Sequence, residues 1–490
     1  IYTTIDNKVQ KSMESVFENP KNFPTYSTKA QPECAMVVMD PYSGDVLGLV
    51  GGRGKKTQNR ILNRATMTYR QPGSSIKPIA VYAPAIEYGL INPQSTEDDA
   101  PMMEYNGKPY PLNETRKYQG RINITKALME SVNAVAMRTL DKLTPARSYE
   151  FLTKNLGITN LNPVSDVHLA PLSLGALTKG VSVMELTAAY ASFPNMGTYL
   201  EPRTYSKVLN SQGKVLMQKD QDVIQAMSEK TATYMNYMLG RVIGTGGTGV
   251  KAKLNNSMPA AGKTGTTDDD KDRWFVGYTP YYVGGVWFGY DTPRYIRTTL
   301  SPALTVWKKV MNEIHEGLPR KEFEEAEGFE KVAVCACSGK LATKLCKADP
   351  RGSQVIEGYF YKDDVPTEYC DVHVSVRVCA ISGMRAGTFC PSTKFMSLLQ
   401  LDRYSPVKGV VLGDERYVIR PSGSELPEGM FYYYSNGARL GARCTLHTQA
   451  VPEEPEPPTT DEAPTTPEGG AETDPATTET PPTTEEPPAA

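Results

Sequence analysis

The sequence predicts an α+β fold, in which one antiparallel sheet carries a helical subdomain and is followed by small cysteine-containing units and a disordered tail. Three observations carry this reading. Strand patterns lie near residue 40 and near residue 280, helical patterns fill the interval, and seven of the eight cysteines crowd into residues 335–444. Strands at both ends with helices between them place the first and last strands side by side in one sheet.

The elements follow in chain order. Residues 35–39 are a short apolar run, residues 41–45 supply turn chemistry, and residues 46–50 return as a second strand, which together make a hairpin. Residues 74–88 have helical periodicity with Gly89 as the stop, and residues 125–140 form another helix-rich stretch. Residues 273–278 and 283–290 alternate aromatic and β-branched side chains around Thr279-Pro280, a further hairpin. These elements define an expected domain over residues 1–325.

The cysteines repeat. Cys335, Cys346, Cys370 and His373 are spaced C-x10-C and C-x2-H, and Cys379, Cys390, Cys444 and His447 follow the same order with a longer insert. Two small units are therefore expected, at 326–376 and 377–450. Three cysteines and a histidine with C-x2-H spacing suit a structural zinc site, with disulfides or free thiols as the other readings of the same residues. Residues 451–490 hold eleven Pro, ten Thr and eleven acidic residues with no aromatic, a composition that predicts an extended, disordered tail.

Composition excludes several classes. At 490 residues with 39% hydrophobic and 22% charged side chains, the chain is long enough for two or three domains. No run of eighteen apolar residues occurs, which excludes a membrane helix within these residues. The opening Ile1-Tyr2-Thr3-Thr4-Ile5-Asp6 has neither a starting Met nor a basic signal region and reads as the interior of a longer protein. The net charge of −2 hides a basic globular part, with 53 Lys and Arg against 44 acids before residue 451, or about +9. Those charges are scattered, without a dense basic block or aromatic ladder, so no nucleic-acid partner is expected.

Three short motifs carry chemistry. Ser74-Ser75-Ile76-Lys77 is an S-x-x-K at an expected helix start, with Ser and Lys on one helix face. A Ser hydroxyl needs a base, and a Lys desolvated beside other positive charge becomes one. Ser131-Val132-Asn133 is an S-x-N pattern that offers a proton relay and an amide-holding side chain. Lys263-Thr264-Gly265-Thr266 offers a cation and two hydroxyls for a carboxylate, with Gly265 leaving room for a substrate backbone at a strand edge. All three in this order are the set found in penicillin-binding proteins and serine β-lactamases.

The surroundings Asn63-Arg64-Ala65-Thr66 and Arg70-Gln71-Pro72-Gly73-Ser74-Ser75-Ile76-Lys77-Pro78 resemble the transpeptidase domain of bifunctional (class A) penicillin-binding proteins, over about residues 1–320. So do Thr3-Thr4-Ile5-Asp6, residues 46–52 and residues 272–279. The resemblance implies a penicillin-binding-protein/serine β-lactamase-like fold. In this sequence it makes Ser74 the acylated nucleophile and Lys77 its base, with Ser131 and Asn133 assisting. Lys263, Thr264 and Thr266 would hold the terminal carboxylate, and the N–H groups of Ser74 and Thr266 would form the oxyanion hole. It further implies peptidoglycan stem peptides as substrates, β-lactams as acylating agents, no cofactor or catalytic metal, and a place outside the bacterial cell membrane, where cysteines ordinarily pair, so that disulfides become the favoured expectation over zinc or free thiols. A glycosyltransferase domain and a membrane anchor would precede residue 1. Within the same fold a D,D-carboxypeptidase or β-lactamase is the alternative, and a non-catalytic wall-binding scaffold is the alternative of another class.

Other features have bland readings. Gly244-Thr245-Gly246-Gly247-Thr248-Gly249 matches a nucleotide-binding pattern but follows a helix, and is expected as a loop bordering the active site. Asp268-Asp269-Asp270 and Asp272 lack the spacing of a calcium loop and are expected as a solvated turn. His168 and His315 are expected as surface or satisfied core residues. Phe431-Tyr432-Tyr433-Tyr434 is expected to fill the core face of a strand, with sugar stacking as the alternative.

Overall fold

A computed structural model describes residues 1–26, 30–298 and 301–449. Residues 1–448 form one compact unit, and the tail expected at 451–490 lies outside the described residues. The main sheet has five antiparallel strands: β1 (Glu33–Met39), β2 (Val46–Val50), β3 (Ala261–Thr266), β4 (Asp272–Tyr278) and β5 (Val283–Gly289). Their order across the sheet is β3-β4-β5-β1-β2. Both expected hairpins are present, and β5 pairs with β1 as the layer argument requires, with Trp287 opposite Ala35.

Alternation along β1 explains how the sheet is buried on both faces. Ala35, Val37 and Met39 point into one core, and Cys34, Met36 and Val38 into the other. The second core is closed by helices α1 (Asn7–Glu18) and α6 (Pro302–Ile314), which contribute Met13 and Phe17, and Trp307 and Met311. The first core receives α2 (Ile124–Met129), α3 (Asn133–Leu143), α4 (Val183–Ala191) and α5 (Glu229–Ile243). Cys34, which with Cys337 lies outside both repeats, is a buried thiol in this packing.

Two expected helices are interrupted, each for a local reason. The stretch over residues 125–140 breaks at Ser131, whose φ of +61° no helix accommodates, and divides into α2 and α3. The stretch over residues 74–88 is a 3₁₀ turn (Gly73–Ile76), a π turn (Pro78–Tyr82) and an α turn (Ala83–Glu87). Pro84 has no N–H to donate to Ala80 four residues back, and its ring crowds that carbonyl. The chain widens so that the Ala83 N–H reaches Pro78 O, and Ala80 O accepts the Ser148 hydroxyl instead, at 2.6 Å.

The C-terminal region is built from short strands. β6 (Phe329–Cys335) pairs antiparallel with β7 (Val355–Tyr361), and β8 (His373–Cys379) pairs antiparallel with β9 (Thr393–Gln400). β10 (Val418–Ile419) joins β9 in parallel. The expected division at 376/377 falls within β8. The favoured disulfides are not formed, since all eight cysteines are free.

The aromatic run departs from expectation. Only Tyr433 is buried, while Phe431, Tyr432 and Tyr434 are exposed. The segment makes isolated bridges rather than a strand, and the Arg420 guanidinium lies 3.8 Å from the Tyr432 ring centroid. Tyr433 alone joins an apolar cluster, with Tyr118, Val407 and Leu412, and Tyr432 covers a guanidinium instead.

Candidate active site

The 3₁₀ turn that carries Ser74 is fixed from several sides. Trp274 Nε1 donates to Gln71 O at 2.8 Å, Ser75 Oγ to Pro72 O at 2.6 Å, and the buried Tyr190 hydroxyl to Ser75 O at 2.6 Å. Gly73 adopts φ +53°, and a Cβ there would stand 2.2 Å from Thr266 O. The backbone before Ser74 can therefore lie directly against β3 only because residue 73 has no side chain. A Cβ on Gly265 would meet Pro72 O at 2.4 Å and Ser75 Oγ at 2.8 Å. Gly265 thus admits the turn that carries Ser74, a reason for glycine here besides the room for a substrate backbone expected from the sequence.

Lys77, one turn on from the half-buried Ser74, is fully buried. Its Nζ donates to Ser131 O at 2.8 Å and to Asn133 Oδ1 at 2.6 Å. The Ser131 kink is what presents both acceptors. Asn133 is oriented by its own Nδ2, which donates to Leu112 O at 2.8 Å. Val132 provides no side-chain cap for α3, and the carboxamide oxygen of Asn113 takes over, accepting the N–H groups of Asn133 and Ala134 at 2.9 and 3.3 Å. Asn113 in turn donates to Asp99 at 2.6 Å. Burial pushes the Asp99 carboxyl up to about 6, against its hydrogen bonds from Asn113 and from the Gln119 N–H.

Lys263, on β3, is also fully buried, and its Nζ donates to Ser131 Oγ at 2.8 Å and to Thr264 O at 3.0 Å. Burial pushes this ammonium down to about 7, with the Glu114 carboxylate opposing. Lys77 is pushed well below the ordinary lysine value, first by burial and then by the Lys263 charge, with Glu114 and Asp99 opposing. Two ammonium groups that share Ser131 cannot both stay charged in a desolvated site without a large cost.

The half-buried Thr264 and Thr266 complete the edge of β3. Thr264 Oγ1 donates to Thr248 Oγ1 at 3.0 Å, and Thr266 Oγ1 accepts from Arg273 at 3.2 Å. The structure therefore gathers Ser74, Lys77, Ser131, Asn133, Lys263, Thr264, Gly265 and Thr266 into one site. It adds Asn113, Asp99, Thr248, Tyr190 and Arg273, which sequence reasoning missed. Thr248 had a signal, since it lies in the glycine-rich run, which follows α5 and borders the site as expected, and so had Arg273, which lies in the stretch 272–279 that carries the resemblance.

The remaining expectations divide. Asp268 and Asp269 are exposed turn residues, but Asp272 is buried and accepts the Trp287 indole N–H at 2.8 Å, so it is a structural carboxylate rather than part of a solvated turn. His315 is a satisfied core residue bonded to Thr279 and Met311 O, and His168 is exposed.

Comparison with known proteins agrees with the geometry. Residues 34–293 match the penicillin-binding protein transpeptidase domain, and residues 325–375 match the penicillin-binding protein 1A C-terminal domain. The chain is 34% identical over 442 residues to penicillin-binding protein 1A of Clostridium botulinum, covering 87% of this chain and 53% of the relative. It is 36% identical over 402 residues to that of Clostridium tetani, covering 77% and 50%. The chain thus spans about half the length of these curated relatives. Among solved structures, the fold is similar to penicillin-binding protein 1A from Haemophilus influenzae (TM-score 0.58, 24% identity, 69% of this chain and 54% of that one). It is also similar to PonA1 from Mycobacterium tuberculosis in complex with penicillin V (TM-score 0.57, 24% identity, 67% and 89%).

Proposed function

The chain belongs to the penicillin-binding protein transpeptidase family, and from that premise we propose that it is a peptidoglycan D,D-transpeptidase acting through a Ser74 acyl-enzyme. The observation that carries the mechanism is the hydrogen bonding of Lys77. A neutral amine has two N–H donors and one lone pair. Both donors are engaged, by Ser131 O and Asn133 Oδ1, so the lone pair is left for the Ser74 proton.

In the first half-reaction Ser74 Oγ attacks the carbonyl carbon of the penultimate D-Ala of a stem peptide, and its proton passes to Lys77. The N–H groups of Ser74 and Thr266 hold the oxyanion, a role supported by the contact of Gly73 with the Thr266 backbone. The C–N bond then breaks. Terminal D-Ala leaves as an amine with a proton relayed through Ser131, and Ser74 is left as an ester. Lys263, turned toward Ser131, tunes that relay, while Thr264 and Thr266 receive the substrate carboxylate. In the second half-reaction an amine of a neighbouring stem attacks the ester and closes the cross-link. A β-lactam acylates Ser74 by the same route, since its strained amide stands in for the D-Ala-D-Ala peptide.

We assign residues 1–325 to this catalytic domain, 326–376 and 377–450 to the two small units, and the whole to the outer face of the cell membrane. No helix among the described residues is long and apolar enough to cross a membrane, and we place an anchor and a glycosyltransferase domain before residue 1. The test is intact mass after incubation with a penicillin, beside Ser74→Ala. One stable adduct on the parent, absent in the variant, is expected. Consumed antibiotic without an adduct would make the chain a hydrolase, and intact antibiotic without an adduct would return the scaffold reading.

A further inference from the structure

Eight side chains that acyl transfer does not use gather at two points of the C-terminal region. One ligand atom from each of Cys335, Cys346, Cys370 and His373 lies within 4.8 Å of the others, and so it is for Cys379, Cys390, Cys444 and His447. We propose that each cluster is a zinc site of three cysteines and one histidine, so that the chain carries two zinc ions remote from Ser74.

The distances fit a metal. Tetrahedral zinc with Zn–S of about 2.3 Å and Zn–N of about 2.0–2.1 Å sets sulfur and nitrogen about 3.5 Å apart. His373 Nδ1 is 3.4 Å from both Cys335 Sγ and Cys370 Sγ, and His447 Nδ1 is 3.5 and 3.4 Å from Cys379 Sγ and Cys444 Sγ. The other nitrogen of His373 faces Asp349 Oδ2 at 2.9 Å, and Arg351 holds that carboxylate at 2.7 Å. A carboxylate on the outer nitrogen fixes the tautomer that leaves Nδ1 free to ligate, as at many metal-bound histidines. Backbone N–H groups point at sulfur in both clusters, from Cys337 to Cys335, Thr343 to Cys346, Ser382 to Cys379 and Gly387 to Cys390. Such donors suit thiolates.

The same site is built twice. Cys335 N donates to Lys340 O and Cys379 N to Met384 O, Gly339 N to Cys335 O and Gly383 N to Cys379 O, and Cys370 N to Leu341 O and Cys444 N to Arg385 O. Gly339 and Gly383 share the turn conformation, at φ +73° and +71°. A disulfide in the second cluster would use two of its three cysteines and strand a thiol and an imidazole, and in the first, where Cys337 lies beside the three, pairing would still strand His373. Three sulfurs and one nitrogen at this spacing suit zinc, bound by three thiolates and a neutral imidazole with release of three protons. This replaces the disulfides favoured from the sequence.

The sites have mechanical reach. β8 bears the last ligand of one site and the first of the other. The second site closes residues 390–444 into a loop whose Val407, Val410, Leu412 and Tyr433 pack with Tyr118 and with Ala134, the neighbour of Asn133. Arg403 of that loop donates to Asp98 at 3.1 Å, and Asp414 accepts the Arg121 N–H at 2.9 Å.

The experiment is metal content by mass spectrometry and thiol titration on the full 490-residue chain, purified in reductant without chelator. Two zinc ions per chain are expected, one in Cys346→Ser, one in Cys390→Ser and none in the double variant. Should the variants not fold, the parent loaded with cobalt(II) decides, because two equivalents with intense thiolate charge-transfer and tetrahedral visible bands support the sites. Zinc-free chain with oxidised cysteine pairs, two zinc ions retained in the double variant, or a weak octahedral cobalt spectrum would each overturn the assignment. Penicillin adduct formation is scored separately, so failure of the zinc sites and failure of the catalytic reading give different results.

Discussion

The sheet region and the C-terminal region solve the problem of stability differently. Around the five-stranded sheet, two cores cover both faces and include Trp274, Trp287 and Trp307. In the C-terminal region one buried cluster consists of Cys335, Cys337, Cys346, Cys370, Leu399, Leu401 and Val418, and another of only Val376, Val378, Leu398 and Leu440. A region with so little apolar mass needs fasteners, and sulfur takes the places where leucines would stand. The contrast teaches where each region can carry cost. The large core can hold two desolvated lysines at the active site, whereas the small one gathers its most reactive groups where a fastener would sit.

The strongest way to break this contrast is to cut the link between the regions. Arg403 is buried and contacts Asp98, Asp414 and Glu415. Arg403→Met leaves Asp414 with no compensating guanidinium and should destabilise the chain by about 3–5 kcal/mol, as removal of one partner of a buried ion pair does. Because Asp98 adjoins Asp99, which holds Asn113 and through it Asn133, penicillin acylation should slow as well. Denaturant unfolding and adduct formation check the two effects. Unchanged acylation in a destabilised variant would show that the regions are energetically separate.

A second test sharpens the contrast through pH. An unfolded chain keeps the Lys263 proton up to the ordinary value of 10.5, while the folded chain releases it near 7. Unfolding therefore takes up a proton between those limits, and stability rises with pH there by about 1.4 kcal/mol per unit for each such lysine. Lys263→Met should lower the slope of stability against pH by about that amount, whereas Cys346→Ser should leave the same window's lysine slope in place. A slope indifferent to Lys263→Met would mean that Lys263 is charged in the native site.

How much of this was legible in the sequence depended on the range of the interaction. Ser74 and Lys77 are three apart, and Lys263, Thr264 and Thr266 fall within four successive residues, so the local chain nearly fixes each group. The hairpins were legible for the same reason, through strands separated by obvious turns. Asp99, Asn113 and Tyr190 were not, because they serve Asn133 and Ser75 across long stretches of chain with no pattern of their own. The Ser131 kink was hidden because periodicity runs through residues 125–140 on both sides of it. The C-terminal ligands were legible as spacing, but whether sulfur meets sulfur or a metal is decided by where the strands bring the thiols. The exposed Phe431, Tyr432 and Tyr434 show the opposite error, in which strand propensity was read where the chain makes only isolated bridges and Tyr432 packs against a guanidinium.

The smallest predicted effect probes how the helix that follows Ser74 is held. Pro84 cannot donate to Ala80 O, and Ser148 Oγ does so at 2.6 Å inside the core. Ser148→Ala strands that carbonyl and should cost about 1–3 kcal/mol in denaturant unfolding. Acylation should change little, since the Ser74 turn is pinned from the other side by Trp274, Tyr190 and the Gly265 contact. Pro84→Ala returns an N–H to the helix at the position that ordinarily serves Ala80 O. In that background the cost of Ser148→Ala should shrink, so the two substitutions couple rather than add. Equal costs in both backgrounds would show that Ala80 O is satisfied in some other way. The widened turn behind Ser74 would then have a cause other than the proline.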